Sequence, residues 1–328
     1  MSILKHIGNT PLVRLNRIGK DASSPLFGKC EHMNPGGSVK DRIALYIIND
    51  AEERGLLKPG LTIIEATAGN TGMGLALVAA ARGYKLVCVL PEKMSVDKRV
   101  ALATLGAQVI VTPNVPPSSP DYFKTIARQM AEENGWFLAD QFNNPANVLA
   151  HYETTANEII KQVDGPIGAF VSGSGTGGTI SGVGKRLKEV YPDVKIILAD
   201  PIGSSLAHWF ETGDIVTDDR SYTVEGIGAS DPPKNLDRSV LDEVLSISDE
   251  ESFGMTKRLI LEEGLLVGGS AGTNMAAALQ VAMRDDINGP VVSILCDNWD
   301  RYRTQPWMQG WGPETRILQE EASETSTS

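Results

Sequence analysis

The sequence lacks several features that would assign it to particular classes of protein. Its three cysteines, Cys30, Cys88 and Cys296, are far apart in the chain. They form neither the paired spacing of a disulfide framework nor a Cys-x-x-Cys zinc motif. No apolar run approaches the roughly 18–20 residues that a membrane span needs. The first residues show no basic segment followed by an apolar core, so we expect no secretory signal and a cytoplasmic location.

Positive charge is also scarce. The chain has 30 lysines and arginines against 41 acidic residues, which gives a formal net charge of −11. Nucleic acids and anionic membranes attract basic surfaces, so we expect neither as a partner. No His-Glu-x-x-His pair occurs, which argues against a metalloprotease of that type and leaves no predicted metal site. The histidines are isolated from one another: His6, His32, His151 and His208.

The chain does contain the pattern of a layered globular protein. It has 328 residues, of which 41% are hydrophobic and 22% charged, enough for one large domain or two ordinary ones. Short apolar runs alternate with helical patterns, which is typical of parallel strands buried on both faces. We therefore predict an α/β fold of two lobes, each a mostly parallel twisted sheet flanked by helices. The predicted strands include 61–66, 85–90, 108–111, 167–171, 195–199 and 291–295.

Two glycine-rich segments in the first part of the chain each lead into a predicted helix. Residues 34–42 place Lys40 in the first helical turn, at the positive end of the helix dipole, where a surface lysine is unusual. An ordinary solvated lysine is the alternative. Residues 65–74 follow a strand, and their free N–H groups at a helix start could bind an anion. An ordinary turn capped by Asn70 or Thr71 is the alternative there.

Two further glycine-rich segments lie in the second part. Residues 172–179 follow a buried strand and precede a helix, where phosphate loops occur. Gly173, Gly175 and Gly178 match G-x-G-x-x-G, and the next strand ends at Asp200, so an NAD-dependent dehydrogenase is an open alternative. A non-catalytic ligand-binding module is another. Residues 268–274 suit either a second anion site or close helix packing.

Taken together, these segments resemble the fold-type II family of pyridoxal-phosphate (PLP) enzymes, in its cystathionine β-synthase and cysteine synthase branch. The resemblance runs from about Ile3 to about Tyr302, and four motifs carry it in order: 7–13, 36–42, 67–72 and 175–179. It implies a fold like that of the tryptophan synthase β chain. It implies a smaller, mobile substrate-loop lobe at 12–145 and a larger lobe, which binds the PLP phosphate, at 1–11 and 146–318. The acidic, Ser/Thr-rich residues 319–328 are expected to be disordered.

The resemblance also implies roles for single residues. Lys40 would bind PLP as a Schiff base, and Asn70 would hydrogen-bond the 3′-oxygen of its ring. Asn298 would face the pyridine nitrogen, with Asp297 as an open alternative. Family members usually have serine at Ala68, so one hydroxyl is missing there. The residues implied for the PLP phosphate are Gly175, Thr176, Gly177, Gly178 and Thr179, and those for the substrate carboxylate are Thr67, Ala68, Gly69, Thr71 and Gln141.

The implied reaction is replacement at the β-carbon of serine, or of an O-activated serine, by a sulfur nucleophile through an α-aminoacrylate intermediate. Formation of cystathionine from serine and homocysteine is the leading hypothesis, and cysteine synthesis from O-acetylserine and sulfide is the alternative. Glu225 follows the cystathionine β-synthase pattern and could protonate the hydroxide that leaves serine. Glu225 could equally form only a hydrogen bond at the lobe interface. The resemblance further implies a homodimer.

Overall fold

Two separate sheets organise the computed structural model of the chain. The structure describes residues 2–67, 69–94, 96–116, 118–215, 221–309 and 311. The strands are β1 (Leu12–Arg14), β2 (Leu26–Cys30), β3 (Thr62–Ala66), β4 (Lys85–Pro91), β5 (Gln108–Thr112), β6 (Phe137–Leu138), β7 (Ala169–Ser172), β8 (Lys195–Pro201), β9 (Glu243–Ile247) and β10 (Val291–Leu295).

Helices connect most of the strands. Several begin or end at residues suited to that position: Ser248 and Glu251 form a capping box at the start of one helix, and Gly264 ends it in the left-handed conformation. None of the helices in the described ranges is long and apolar enough to cross a membrane. The helices are α1 (Lys40–Glu53), α2 (Asn70–Arg82), α3 (Val96–Thr104), α4 (Phe123–Asn134), α5 (Ala146–Ala150), α6 (Ala156–Gln162), α7 (Gly178–Val190), α8 (Leu206–Thr212), α9 (Asp249–Glu263) and α10 (Gly269–Ala282), with a π-helical turn (His151–Thr155) and 3₁₀ turns at Ile3–His6, Glu31–Met33, Arg238–Val240 and Trp299–Tyr302.

The strand order confirms the predicted fold class. The larger sheet has the order β1-β2-β10-β7-β8-β9, and the smaller sheet has the order β5-β4-β3-β6. Every pairing is parallel except that of β1 with β2. All residues of β3, β7 and β10 are buried, as expected for central strands that helices cover on both faces.

The N-terminal boundary predicted for the smaller lobe is wrong. Residues 12–145 were expected to form that lobe, but β1 and β2 belong to the larger sheet, where Leu26 pairs with Val291 and Cys30 with Leu295. No motif in this part of the sequence indicates a strand pairing between residues more than 260 positions apart. The sequence therefore could not place the lobe boundary. The mobility of the smaller lobe stays a prediction, and the predicted disordered segment 319–328 lies outside the described residues.

A buried cluster of charged side chains around the start of α1 connects this helix, which packs on the smaller sheet, to the larger sheet. The guanidinium of Arg42, in the first turn of α1, lies 2.7 Å from carboxylate oxygens of Glu31 and of Glu158, and Lys29 lies 2.7 Å from Glu158. Burial by itself raises the pKa of Glu31, but Arg42 outweighs it and lowers that pKa to about 2. Lys29 is on β2, whereas Ile43 of α1 packs into the core of the smaller sheet. The cluster therefore fixes the start of α1 relative to the larger sheet.

Candidate active site

One cavity of about 1290 Å³ lies between the two sheets, and all four glycine-rich segments contribute to its wall. Three parts of the wall directly follow parallel strands: residues 67 and 69–71 follow β3, residues 173 and 175–177 follow β7, and residues 296–298 follow β10. Ligand sites of open α/β sheets occur beyond the carboxyl ends of their strands. The fold thus brings the separate sequence motifs to one site.

Lys40 is the first residue of α1 and lines this cavity. The loop before it is held to the end of β10, because the N–H of Val39 donates to the carbonyl of Cys296 at 2.8 Å. Burial lowers the pKa of Lys40, and Cys296, Asp297 and Glu31 partly offset that effect. A lysine in this setting is not the ordinary solvated lysine of the alternative interpretation. More of its amine is neutral, and therefore nucleophilic, than in a surface lysine.

The loop before α7 is packed so closely that side chains are excluded. Gly177 has φ of +85°, and a Cβ there would lie 2.4 Å from the backbone nitrogen of Leu236. A Cβ on Gly175 would lie 2.2 Å from the carbonyl oxygen of Gly226. The first N–H groups of a helix have no intrahelical acceptors, so the start of α7 offers several donors to an anion. This cradle fits a phosphate group.

Hydroxyl groups of the same loop are held by residues that the sequence did not single out as site residues. Thr176 accepts a hydrogen bond from Asn147 at 2.9 Å, and the Thr179 hydroxyl lies 3.2 Å from Nε2 of His151. Burial lowers the pKa of His151 to about 3, so its ring is neutral. The sequence alone does not indicate this contact, because His151 lies 28 residues from Thr179.

The predicted substrate loop meets Gln141 across the smaller sheet. The Thr71 hydroxyl donates to Oε1 of Gln141, and Nε2 of Gln141 donates to Glu65 at 3.3 Å. Thr67, Thr71 and Gln141 are buried, and Gly69 donates to the Thr67 hydroxyl at 3.3 Å. The structure thus brings Thr67, Gly69, Thr71 and Gln141 together, as their shared predicted role requires. Ala68 lies outside the described residues.

Glu65 makes stability depend on pH. Burial and then Asp140 raise the pKa of Glu65 from 4.5 to about 7. A carboxyl group with a raised pKa stabilises the fold fully below the unfolded pKa, and this contribution is lost as pH rises to the folded pKa. Relative to Glu65→Gln, which is neutral throughout, we expect the unfolding free energy of the wild type to fall by on the order of 3 kcal/mol over that interval. Urea unfolding at about pH 4.5 and pH 8 measures it, and parallel pH profiles would contradict the expectation.

The end of β10 distinguishes Asp297 from Asn298. Asn298 lines the cavity, but its side-chain oxygen accepts from the N–H of Asp300 at 3.4 Å and caps the 3₁₀ turn that follows. Asp297 is 1% exposed and accepts hydrogen bonds from Asn70 and Tyr302. Ser270, at the start of α10, also lines the cavity and is buried. Ser270 is not among the site residues predicted from the sequence, although the fourth glycine-rich segment contains it. Its hydroxyl is another donor for a ring nitrogen.

Close packing accounts for the glycines of that fourth segment. A Cβ on Gly272 would lie 1.9 Å from the carbonyl oxygen of Ser252, so glycine lets α10 approach α9. A Cβ on Gly268 would lie 2.3 Å from the ring of Tyr302. Of the two interpretations of 268–274, helix packing is therefore confirmed.

Glu225 lies at the cavity wall in contact with both halves of the molecule. Its carboxylate pairs with Lys98 of α3 and accepts from Nε2 of Gln305 at 3.0 Å. The Glu225 side chain is 36% exposed. This geometry is that of the interface alternative, while the proton-donor role stays a prediction.

A lysine and a phosphate cradle that face one cavity define a site suited to PLP. The sequence pattern of the pyridoxal-phosphate dependent enzyme family matches residues 3–297, and the chain belongs to that family. The resemblance, the enzyme class and the cofactor predicted from the sequence are thereby confirmed. Asp200, the acidic residue of the NAD fingerprint, instead accepts from the N–H of Ala207 at 2.9 Å and does not line the cavity.

Known relatives fall in the same branch of the family. The chain is 47% identical over 321 residues to cystathionine β-synthase of Apis mellifera, covering 97% of this chain but 63% of that protein. It is 44% identical over 317 residues to cysteine synthase 1 of Neurospora crassa, covering 95% of this chain and 84% of that protein. The crystal structure of O-ureido-L-serine synthase superposes with a TM-score of 0.88 at 38% identity, covering 96% of both chains. The chain thus spans less than two thirds of the length of the matched cystathionine β-synthase.

Proposed function

We propose that this enzyme replaces the β-substituent of serine, or of an O-activated serine, with a sulfur nucleophile. The leading reaction joins serine and homocysteine: the Cβ–O bond breaks, a Cβ–S bond forms, and cystathionine and water are released. The placement of Lys40 and the Thr71–Gln141 pair on one cavity carries the proposal. Similarity to a cystathionine β-synthase over 97% of the chain supports it. Cysteine synthesis is the alternative, which the similarity to cysteine synthase 1 supports.

Different parts of the cavity wall are proposed to bind the cofactor and the substrate. Bound PLP supplies stabilisation of negative charge at the substrate Cα. We assign its phosphate to the loop 175–179 and its attachment to Lys40, whose lowered pKa suits an amine that removes the Cα proton and later returns it. We assign the substrate carboxylate to Thr67, Gly69, Thr71 and Gln141, which lie together at the cavity wall.

The choice of donor depends on how the leaving group is protonated. Hydroxide is a poor leaving group without a proton donor, whereas acetate needs little help. We retain Glu225 as the proposed donor of that proton, with its contact to Lys98 as the competing role. The homodimer, which the family resemblance implies, and the cytoplasmic location, which the three scattered cysteines suggest, remain proposals.

The test is a product assay with each donor and each nucleophile. We expect the purified yellow enzyme to form cystathionine from serine and homocysteine. Formation of cysteine from O-acetylserine and sulfide, with no turnover of serine, would instead establish the cysteine synthase alternative. Glu225→Gln should reduce serine turnover selectively and leave O-acetylserine turnover within about tenfold. Lys98→Gln is the matched control, because equal losses with both donors in both variants would assign Glu225 to the interface.

A further inference from the structure

Two side-chain donors converge on one oxygen of Asp297. Nδ2 of Asn70 lies 2.7 Å from Oδ2 of Asp297, and the Tyr302 hydroxyl lies 2.6 Å from the same oxygen. Asp297 is 1% exposed and Tyr302 is 6% exposed. Asn70 is the first residue of α2 and lines the cavity. The three residues form a continuous hydrogen-bonded chain from the C-terminal segment to the cavity wall.

Backbone hydrogen bonds also hold Asp297 in place. The carbonyl of Asp297 accepts from the N–H of Gly268 at 3.1 Å, and the N–H of Asn298 donates to Gly37 at 3.3 Å. A Cβ on Gly268 would lie 2.4 Å from Oδ1 of Asp297 and 2.3 Å from the Tyr302 ring. Glycine at position 268 therefore leaves the room that the Asp297 carboxylate and the Tyr302 ring occupy.

A carboxylate in this position determines which way the Asn70 amide points. Oδ2 of Asp297 accepts from the amide nitrogen of Asn70, so the amide turns its nitrogen and not its oxygen toward Asp297. An amide nitrogen carries two hydrogens. With one hydrogen donated to Asp297, the second remains available as a donor to a ligand in the cavity.

We propose that Asp297 is a positioning residue that holds Asn70 as a hydrogen-bond donor to the 3′-oxygen of bound PLP, with Tyr302 bracing the carboxylate. The inference rests on the proposed placement of that oxygen at Asn70 and is independent of which substrates the enzyme uses. It assigns Asp297 a role at the ring oxygen and not at the pyridine nitrogen. A donor at the 3′-oxygen stabilises its ionised form, which contributes the visible absorption of the bound cofactor.

The test is a double-mutant cycle read out by the absorption spectrum of bound PLP and by its dissociation constant. Asp297→Asn replaces an acceptor-only group with one that also donates, so the Asn70 amide loses its fixed orientation. We expect Asp297→Asn and Asn70→Ala each to shift absorption from the visible to the near-ultraviolet band and to weaken PLP binding about tenfold. Because Asp297 acts through Asn70, the double variant should match Asn70→Ala alone.

Additional variants separate positioning from folding. Tyr302→Phe keeps the ring packing and removes only the hydroxyl, so a partial shift in the same spectral direction is expected. Asp200→Asn is the matched control, since Asp200 is a buried aspartate outside the cavity wall, and it should leave the spectrum unchanged. Additive spectral effects of Asp297→Asn and Asn70→Ala would overturn the proposal in favour of an independent role of Asp297. An unchanged spectrum in Asn70→Ala would overturn it at its first step.

Discussion

Lys40→Ala should abolish turnover and remove the visible band that PLP shows when it is covalently attached. The substitution deletes both the attachment point and the group proposed to move the Cα proton, so we expect a loss of at least about 10⁴-fold in kcat. PLP should remain bound weakly through the loop at 175–179. Steady-state kinetics and absorption spectra of the same preparation measure both effects.

A matched control makes that result specific. Lys85→Ala alters an exposed lysine at the first residue of β4 and should preserve the spectrum and the kinetics. Addition of a small primary amine should restore part of the activity of Lys40→Ala, because a free amine can replace the missing base. Near-wild-type turnover of Lys40→Ala without added amine would refute the role of Lys40.

Gly177→Asp should eliminate PLP retention and also destabilise the fold. From the sequence alone, the added carboxylate is expected to repel the phosphate more than it harms folding. The structure adds a cost to folding, since a Cβ there would lie 2.4 Å from the nitrogen of Leu236 and φ is +85°. The left-handed conformation alone costs about 1–3 kcal/mol for a residue with a side chain. PLP content per folded chain and urea unfolding measure the two effects separately.

Gly254→Ala is the control for that substitution. Gly254 lies within α9 with open space around its Cβ position. Alanine there should stabilise the protein by about 0.5–1 kcal/mol and leave PLP content unchanged. Full PLP occupancy in Gly177→Asp, with unaltered stability, would show that the phosphate binds elsewhere.

The sequence predicted those parts of the site that lie within short motifs. Lys40, Asn70 and the loop at 175–179 each follow a local strand–turn–helix pattern, and the structure brings all of them to one cavity. The alternation of apolar runs with helical patterns likewise predicts two mostly parallel sheets. Local patterns of this kind predict the structure because the residues that form each element are neighbours in the chain.

Contacts between segments that are distant in the chain could not be predicted from the sequence. Asp297 lies 227 residues from Asn70, and Gln141 lies 76 residues from Glu65. The pairing of β2 with β10 joins residues still farther apart, such as Leu26 and Val291, which is why the predicted lobe boundary is wrong. No periodicity or motif in the sequence indicates which side chains come into contact after folding. The orientation of the Asn70 amide can therefore be determined only from the structure.

The charge cluster around Arg42 limits how segments of this chain can be exchanged with those of a relative. Arg42 belongs to a helix that packs on the smaller sheet, whereas Glu31 directly follows β2 of the larger one. A chimera that takes one half from a relative must therefore carry matching charges on both sides of the junction. A buried arginine left without its carboxylates costs about 3–5 kcal/mol, a large share of the 5–15 kcal/mol that holds a typical domain folded. The two sheets are separate in architecture, but one cluster of buried ion pairs couples them.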